Sequence, residues 1–171
     1  MNNNVVTTIF EKTIKKDITT LRFNFRGVGR STGMVQDEEG NISDVLACFN
    51  FLQEEKKVKK VLICGYSYGA AVGTSIVNNS DKIIGFCAIS FPWDFMNPKY
   101  KKMSLTEKPK LFIQGDQDNI APYDRFLKHY HEYPDPKEKV IIHGADHFYW
   151  GYEENIANEV VSFYENLINS K

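Results

Sequence analysis

The chain has 171 residues, of which 42% are hydrophobic and 25% charged, values that exclude a disordered or low-complexity polypeptide and suit one globular domain. Lysine and arginine (21) nearly balance aspartate and glutamate (22), so the sequence lacks the basic surplus of a non-specific nucleic-acid binder. No apolar run approaches the roughly 20 residues that cross a bilayer, and the polar N-terminal stretch is unlike a secretion signal. We expect one domain over residues 1–171, with no membrane span and no nucleic-acid partner.

The three cysteines, Cys48, Cys64 and Cys87, form no Cys-x-x-Cys pair, and each has apolar neighbours. Such cysteines favour neither a disulfide framework nor a zinc site. We expect buried, reduced thiols and therefore a cytoplasmic protein.

Helical and strand-like patterns alternate along the chain. Apolar spacing predicts a helix at 5–14, a second at 42–52 capped by Asn41 or Ser43, and further helices at 68–78, at 122–131 and at the C-terminal end. Apolar, β-branched runs predict strands at 18–25, 61–64, 83–89, 111–114 and 140–142. Short apolar strands separated by helices are typical of a mostly parallel sheet with helices on both faces, so the predicted fold class is α/β.

A G-x-S-x-G motif, Gly65-Tyr-Ser-Tyr-Gly69, lies between the strand predicted at 61–64 and the helix that follows it. A serine on such a sharp turn needs small neighbours, because strand and helix must approach each other closely. A glycine-rich helix start with a capping serine would use the same residues. The strand–turn–helix context favours a nucleophile at Ser67.

Two more polar clusters follow predicted strands. Asp116 and Asp118 come after the strand at 111–114, and His147 comes after the last strand. Carboxyl ends of parallel strands meet at one edge of a sheet, and the chain order serine, aspartate, histidine is that of α/β hydrolases. We therefore predict Ser67 as nucleophile, His147 as general base and Asp118 as the acid that orients it, with Asp116 as the alternative acid. The other histidines are assigned to structure.

Four segments carry a family resemblance: Leu21–Gly33, Gly65–Ala70, Gly115–Pro122 and Gly144–Phe148. Together they resemble the small α/β hydrolases without a cap domain that are related to dienelactone hydrolases. The resemblance implies the α/β-hydrolase fold and the same three catalytic residues, and the backbone N–H of Tyr68 is an expected oxyanion donor. Such a mechanism needs no metal and no organic cofactor.

In the resembling family, a strand and an oxyanion loop come before the helix with which this chain begins. We therefore expect an N-terminally truncated domain of about five strands, in which the strands ending at Phe25 and Gly65 flank a gap of about 4.8 Å on each side. Three arrangements would resolve the gap. The chain is part of a longer reading frame, the strands close up, or another chain supplies a strand, as in a homodimer through the exposed sheet edge. Truncation is favoured, and activity would be impaired because an oxyanion donor is missing.

Two classes of function remain. The first is a serine hydrolase acting on a small ester, thioester or amide. The second is a non-catalytic α/β-hydrolase-like scaffold or interaction module. A nucleotide site at Gly27, Gly29 and Gly33 has weak support, because G-x-G-x-x-G would need glycine where Thr32 stands. Those glycines are better explained by the backbone geometry of a turn close to Ser67.

Aromatic residues are the one sequence signal for substrate. We expect the entrance to the site to be aromatic, a surface that suits uncharged or aromatic acyl groups. The residues expected to line it are Tyr66, Tyr68, Phe148, Tyr149 and Trp150. Trp93, Phe95 and Met96 either line an acyl pocket or close the core.

Overall fold

The computed structural model describes residues 2–35 and 37–169, and these form a four-stranded parallel sheet with helices on both faces. The strands, hydrogen-bonded in chain order, are β1 (Val61–Tyr66), β2 (Ile83–Ile89), β3 (Lys110–Gly115) and β4 (Lys137–Ile142). The helices are α1 (Asn4–Lys15), α2 (Glu38–Glu54), α3 (Tyr68–Thr74), α4 (Pro98–Ser104), α5 (Tyr123–His131) and α6 (Glu153–Asn169). The predicted α/β class with a parallel sheet is confirmed. None of the described helices is long and apolar enough to span a membrane.

Burial follows the position of each strand in the sheet. Nearly every residue of the central strands β2 and β3 is buried, because each strand has a neighbour on both sides and helices above and below. Alternate side chains enter two core layers: Phe86 and Phe112 pack with α2, α3 and α5, whereas Cys87 and Leu111 pack with α1 and α6. The edge strands β1 and β4 are only partly buried.

The start of α2 differs from the prediction. Asp37, rather than Asn41 or Ser43, caps the helix, and its carboxylate accepts a hydrogen bond from Gly40 N at 2.8 Å. Two glutamates in the first turn extend the helix toward its N-terminus, because anions interact favourably with that end of the helix dipole. Asn41 is instead buried, and its amide donates to Val35 O at 3.2 Å and to Tyr68 Oη at 2.7 Å.

The strand predicted at 18–25 is wrong for the described residues, since the segment pairs with none of β1 to β4, and the sheet has four strands instead of about five. Its alternating pattern is nevertheless real. Phe23 and Phe25 pack against the core layer of α2 and α3, whereas the Arg22 guanidinium lies 4.3 Å from the centre of the Phe10 ring on α1. The apolar pattern therefore indicates which sides of the segment are covered by other parts of the protein. It does not predict a strand by itself, because a strand also needs a neighbouring backbone to pair with.

As a result, β1 forms one edge of the described sheet. The N–H groups of Val61 and Ser67 donate to carbonyls on the β2 side, so the backbone groups of Leu62, Cys64 and Tyr66 point away from β2. Cys64 is exposed, and the prediction of a buried thiol is wrong at this position because an edge strand is covered less than a central one. Cys87, its register partner on β2, is fully buried, and that burial raises the pKa of its thiol.

Candidate active site

Ser67 occupies a strained turn between β1 and α3. Its φ of 52° lies in the left-handed region, where non-glycine residues are rarely found. The surrounding hydrogen bonds hold it there: Ser67 N donates to Ile89 O at 2.8 Å, and Ser67 O accepts from Ala70 N at 2.9 Å. A Cβ atom on Gly65 would overlap the backbone of Gly69, so the turn requires glycine at position 65. This geometry presents the serine hydroxyl at the carboxyl edge of the sheet.

The three predicted functional side chains lie in one hydrogen-bonded line. Ser67 Oγ is 2.9 Å from His147 Nε2, and His147 Nδ1 is 2.9 Å from Asp118 Oδ2 and 3.1 Å from Asp118 Oδ1. His147 and Asp118 are 5% and 3% exposed. An ionised carboxylate can only accept, so the Nδ1 atom carries a proton, and Nε2 is left to accept the proton of the serine hydroxyl.

The Asp118 carboxylate has a donor on every side. Its Oδ1 atom accepts from Ile120 N at 2.9 Å and Ala121 N at 2.7 Å, and its Oδ2 atom accepts from Ser90 Oγ at 2.7 Å and Gln114 Nε2 at 3.2 Å. Burial opposes ionisation, but the hydrogen bonds from His147, Ser90 and the Ala121 amide outweigh it and lower the pKa of Asp118. The side chain is therefore an anion at neutral pH.

Asp116, the alternative acid, lies elsewhere. Its Oδ2 atom is 2.8 Å from His143 Nδ1, and its Oδ1 atom accepts from Gly144 N at 2.7 Å. These contacts connect the loop that follows β3 to the loop that follows β4 at the protein surface. The geometry therefore favours Asp118 over Asp116 as the partner of His147.

Sequence reasoning missed the role of two buried hydroxyls. Ser90 follows β2 at the same edge of the sheet as Ser67. A polar residue directly after a predicted strand was the sequence feature that could have identified it as part of the site. Tyr149 was predicted to line an aromatic mouth, but it is fully buried, and its hydroxyl contacts Ser90 Oγ at 2.6 Å. Its neighbours Phe148 and Trp150 are 50% and 72% exposed, as expected of mouth residues.

The glycine-rich loop at 26–33 lies beside the start of α2. Gly27, Gly29 and Gly33 all have positive φ, which favours a backbone role for them. Arg26 anchors the loop through Asp44 at 2.8 Å and Asp37 at 2.7 Å.

The segment after β2 closes the core and lines a shallow crevice. Trp93 is buried, stacks on Phe91 at a ring distance of 4.6 Å and donates its indole N–H to Tyr133 Oη at 3.2 Å. Phe95 is 70% exposed and lines a shallow crevice together with Ile120, which is 41% exposed. The core interpretation therefore holds for Trp93, and Phe95 remains available to a ligand.

A parallel α/β sheet with a strained serine between strand and helix, and a buried histidine beside it, defines the class of α/β hydrolases. Residues 1–158 match the model of the family described as "Alpha/beta hydrolase domain", and the chain belongs to this family.

The chain is also similar to individual proteins and solved structures. An uncharacterized protein of Rickettsia prowazekii is 31% identical over 156 residues, which cover 87% of this chain and 66% of the relative, slightly under two thirds of its length. An alpha-beta serine hydrolase homologue from Coxiella burnetii is 27% identical, with a TM-score of 0.85 over 95% of this chain and 76% of that one. A putative α/β hydrolase of unknown function from Agrobacterium tumefaciens is 28% identical, with a TM-score of 0.86 over 99% and 79% of the two chains.

Proposed function

We propose that this chain is a serine hydrolase that cleaves a small ester, thioester or amide. Ser67 Oγ attacks the acyl carbonyl while its proton passes to His147 Nε2, which then gives that proton to the leaving group. Water, deprotonated by the same imidazole, releases the acyl group and restores the serine hydroxyl. The observation that carries the proposal is the buried line of 2.9 Å contacts from Ser67 through His147 to Asp118.

The backbone N–H of Tyr68 is the oxyanion donor that the turn itself supplies. Tyr68 is the first residue of α3, so its N–H has no acceptor within the helix and can donate to a developing oxyanion. Removal of one of two such donors typically lowers turnover by about 100- to 1,000-fold. We expect turnover in this reduced range if Tyr68 N–H acts alone.

Exposed apolar side chains at the carboxyl edge of the sheet support an uncharged acyl substrate. Tyr68, Phe95, Ile120, Phe148 and Trp150 are each at least 38% exposed. Tyr68 follows the nucleophile directly, and the Phe148 ring centre lies 5.9 Å from that of His147. Exposed apolar surface beside a nucleophile is typical of a ligand-binding site. We expect acetate, butyrate and aromatic esters to be better substrates than charged ones.

A fluorophosphonate probe tests the nucleophile directly. The wild-type protein should be labelled at Ser67 and should hydrolyse p-nitrophenyl butyrate, and Ser67→Ala and His147→Ala should lose both properties. Ser43→Ala is the matched control, because Ser43 is an exposed serine on α2 whose hydroxyl contacts Glu39 O. Absence of labelling in a folded wild-type sample would disprove the hydrolase mechanism.

The second candidate function is an interaction module that adds a strand of another chain to the outer edge of β1. The outward backbone groups of this edge and the exposed Cys64 favour it, because unpaired strand edges are templates for strand addition. Light scattering over a range of concentrations tests a homodimer, in which Cys64 should be protected from thiol reagents. A monomer that turns over esters would exclude this function.

A further inference from the structure

Behind Asp118 lies a chain of three hydrogen bonds between buried groups. Gly115 N donates to Tyr149 Oη at 2.9 Å, Tyr149 Oη contacts Ser90 Oγ at 2.6 Å, and Ser90 Oγ contacts Asp118 Oδ2 at 2.7 Å. Ser90 and Tyr149 are both 0% exposed, so their hydroxyls have no access to solvent as an alternative hydrogen-bond partner. The chain connects the backbone of β3 to the carboxylate that faces His147.

Chemistry fixes the direction of each proton in this chain. The Gly115 amide can only donate and the ionised Asp118 carboxylate can only accept. Each hydroxyl has one proton, so Tyr149 donates to Ser90 and Ser90 donates to Asp118. The reverse order would leave two acceptor oxygens facing each other across 2.7 Å.

Both residues are also held in an unfavourable backbone conformation. Ser90 has a φ of 47° and Tyr149 a φ of 56°, in the same left-handed region as Ser67. Such strain persists where the surrounding contacts over-determine it, and it is concentrated at functional sites.

We propose that Ser90 and Tyr149 are positioning residues of the reaction proposed above, acting through Asp118. Ser90 holds one carboxylate oxygen in place and draws charge from it, and Tyr149 polarises the Ser90 hydroxyl. Together they set how strongly the carboxylate attracts the imidazolium that forms when His147 accepts the Ser67 proton. The inference rests on the proposed hydrolase function for its kinetic consequences, but the hydrogen-bond chain itself can be tested without substrate.

A second series of hydrogen bonds through a buried tyrosine and serine, elsewhere in the protein, provides a matched control. Trp93 Nε1 donates to Tyr133 Oη at 3.2 Å, Tyr133 Oη contacts Ser104 Oγ at 2.7 Å, and Ser104 donates to the carbonyl of Lys101 at 2.9 Å. Ser104 and Tyr133 are 0% and 2% exposed. This second buried serine–tyrosine pair has the same chemistry but ends on a backbone carbonyl instead of a catalytic carboxylate.

The kinetic test compares Ser90→Ala and Tyr149→Phe with Ser104→Ala and Tyr133→Phe. We expect Ser90→Ala to lower kcat by about 10- to 100-fold with little change in KM, because Asp118 loses a donor that fixes its position and holds the His147 ring less precisely in line with Ser67. This loss of alignment outweighs the tighter hold on the imidazolium. Tyr149→Phe should lower kcat less. The double variant should be little worse than Ser90→Ala alone, since Tyr149 acts through Ser90. The two control variants should lower stability without changing kcat.

The direction of the pH effect is also fixed. A carboxylate with one donor fewer holds the imidazolium more tightly, so the acid limb of kcat/KM should move to higher pH in Ser90→Ala. Asp118 contacts Nδ1 of the imidazole, and the Tyr66 ring centre lies 5.4 Å from that of His147. The Asp146 carboxylate instead accepts hydrogen bonds from the N–H groups of Phe148 and Tyr149.

An NMR measurement separates this inference from the hydrolase proposal. In uniformly nitrogen-15-labelled protein without substrate, the His147 ring resonances and their pH titration should change in Ser90→Ala, change less in Tyr149→Phe, and stay as in wild type in the controls. That result supports the positioning role even if no ester is turned over. Equal signals in Ser90→Ala and Ser104→Ala would overturn it, whatever the activity of the wild-type protein.

Discussion

Tyr66, the last residue of β1, donates its hydroxyl proton to the backbone carbonyl of His147 at 2.7 Å. The centre of its ring lies 5.4 Å from that of the imidazole. The strand that leads into Ser67 therefore also holds the loop that carries the histidine. Ser67 and His147, which are 80 positions apart in the sequence, are thus fixed relative to each other through one side chain.

We expect Tyr66→Phe to lower the free energy of unfolding by about 0.5–1.5 kcal/mol, the usual net value of one hydrogen bond. It should also lower kcat, because the His147 loop loses an anchor. Tyr130→Phe is the control, since Tyr130 Oη donates to Lys137 O at 3.3 Å away from the site. Urea unfolding and ester kinetics measure the two effects. A kcat that falls equally in both variants would contradict the anchoring role.

Asp118→Asn and Asp116→Asn distinguish the two acids that the sequence left open. Asp118→Asn removes the charge that stabilises the imidazolium and offers an amide to Nδ1, so kcat should fall by about 10³- to 10⁴-fold. Asp116→Asn should keep kcat within about threefold of wild type, because Asp116 contacts His143 and Gly144 instead. The two variants should be compared in the same ester assay after circular dichroism has confirmed folding. The reverse ranking would make Asp116 the acid.

The two glycines of the G-x-S-x-G motif should respond differently to alanine. At Gly65 the new methyl group would overlap the Gly69 backbone, whereas at Gly69 it would meet no described atom within 4 Å beyond the adjoining residues and the backbone of its own helix. Gly65→Ala should lower the free energy of unfolding by about 1–3 kcal/mol through overpacking. Gly69→Ala should be neutral or stabilising by up to about 1 kcal/mol, because alanine favours the helix. Equal urea midpoints for the two variants would disprove the requirement for glycine at position 65.

Much of this architecture could be predicted from the sequence because it depends on local patterns. Short apolar runs predicted β1 to β4, and the polar residues Ser67, Asp118 and His147 after three of these runs indicated one edge of the sheet. The failure of the segment at 18–25 to pair with β1 to β4 could not be predicted in this way. Alternation of Phe23 and Phe25 with Arg22 shows which sides are covered, but it says nothing about whether a neighbouring backbone is available.

The details of the site depend on distances between loops, and sequence spacing does not give these. Asp116 and Asp118 are two positions apart and chemically identical, and which of them reaches His147 is decided by the path of the loop after β3. The same holds for Tyr149. A tyrosine beside exposed Phe148 and Trp150 gives no local sign that its own hydroxyl turns inward to Ser90.

Lys110 is a buried cation whose charge should affect stability. The residue is 0% exposed, and its Nζ atom donates to Pro134 O at 2.7 Å and Pro136 O at 3.0 Å. Burial, with a smaller contribution from Lys137, lowers the pKa of Lys110 to about 8, from an ordinary value of 10.5. Between these two pH values the folded state binds fewer protons than the unfolded state, so its relative stability rises with pH. The penalty of the buried charge is complete below about pH 8 and disappears above the unfolded pKa.

Lys110→Met tests this sign. The variant loses the charge penalty at every pH, and it also leaves two carbonyls without their donor, which costs about 1–3 kcal/mol independently of pH. The free energy of unfolding of the variant minus that of wild type should therefore be most positive at pH 7–8 and should decrease as the pH approaches 10.5. Tyrosine and cysteine ionisation, common to both proteins, cancels in this difference. Urea titrations at pH 7, 8, 9 and 10 measure it, and a difference that does not vary with pH would show that Lys110 titrates alike in the folded and unfolded states.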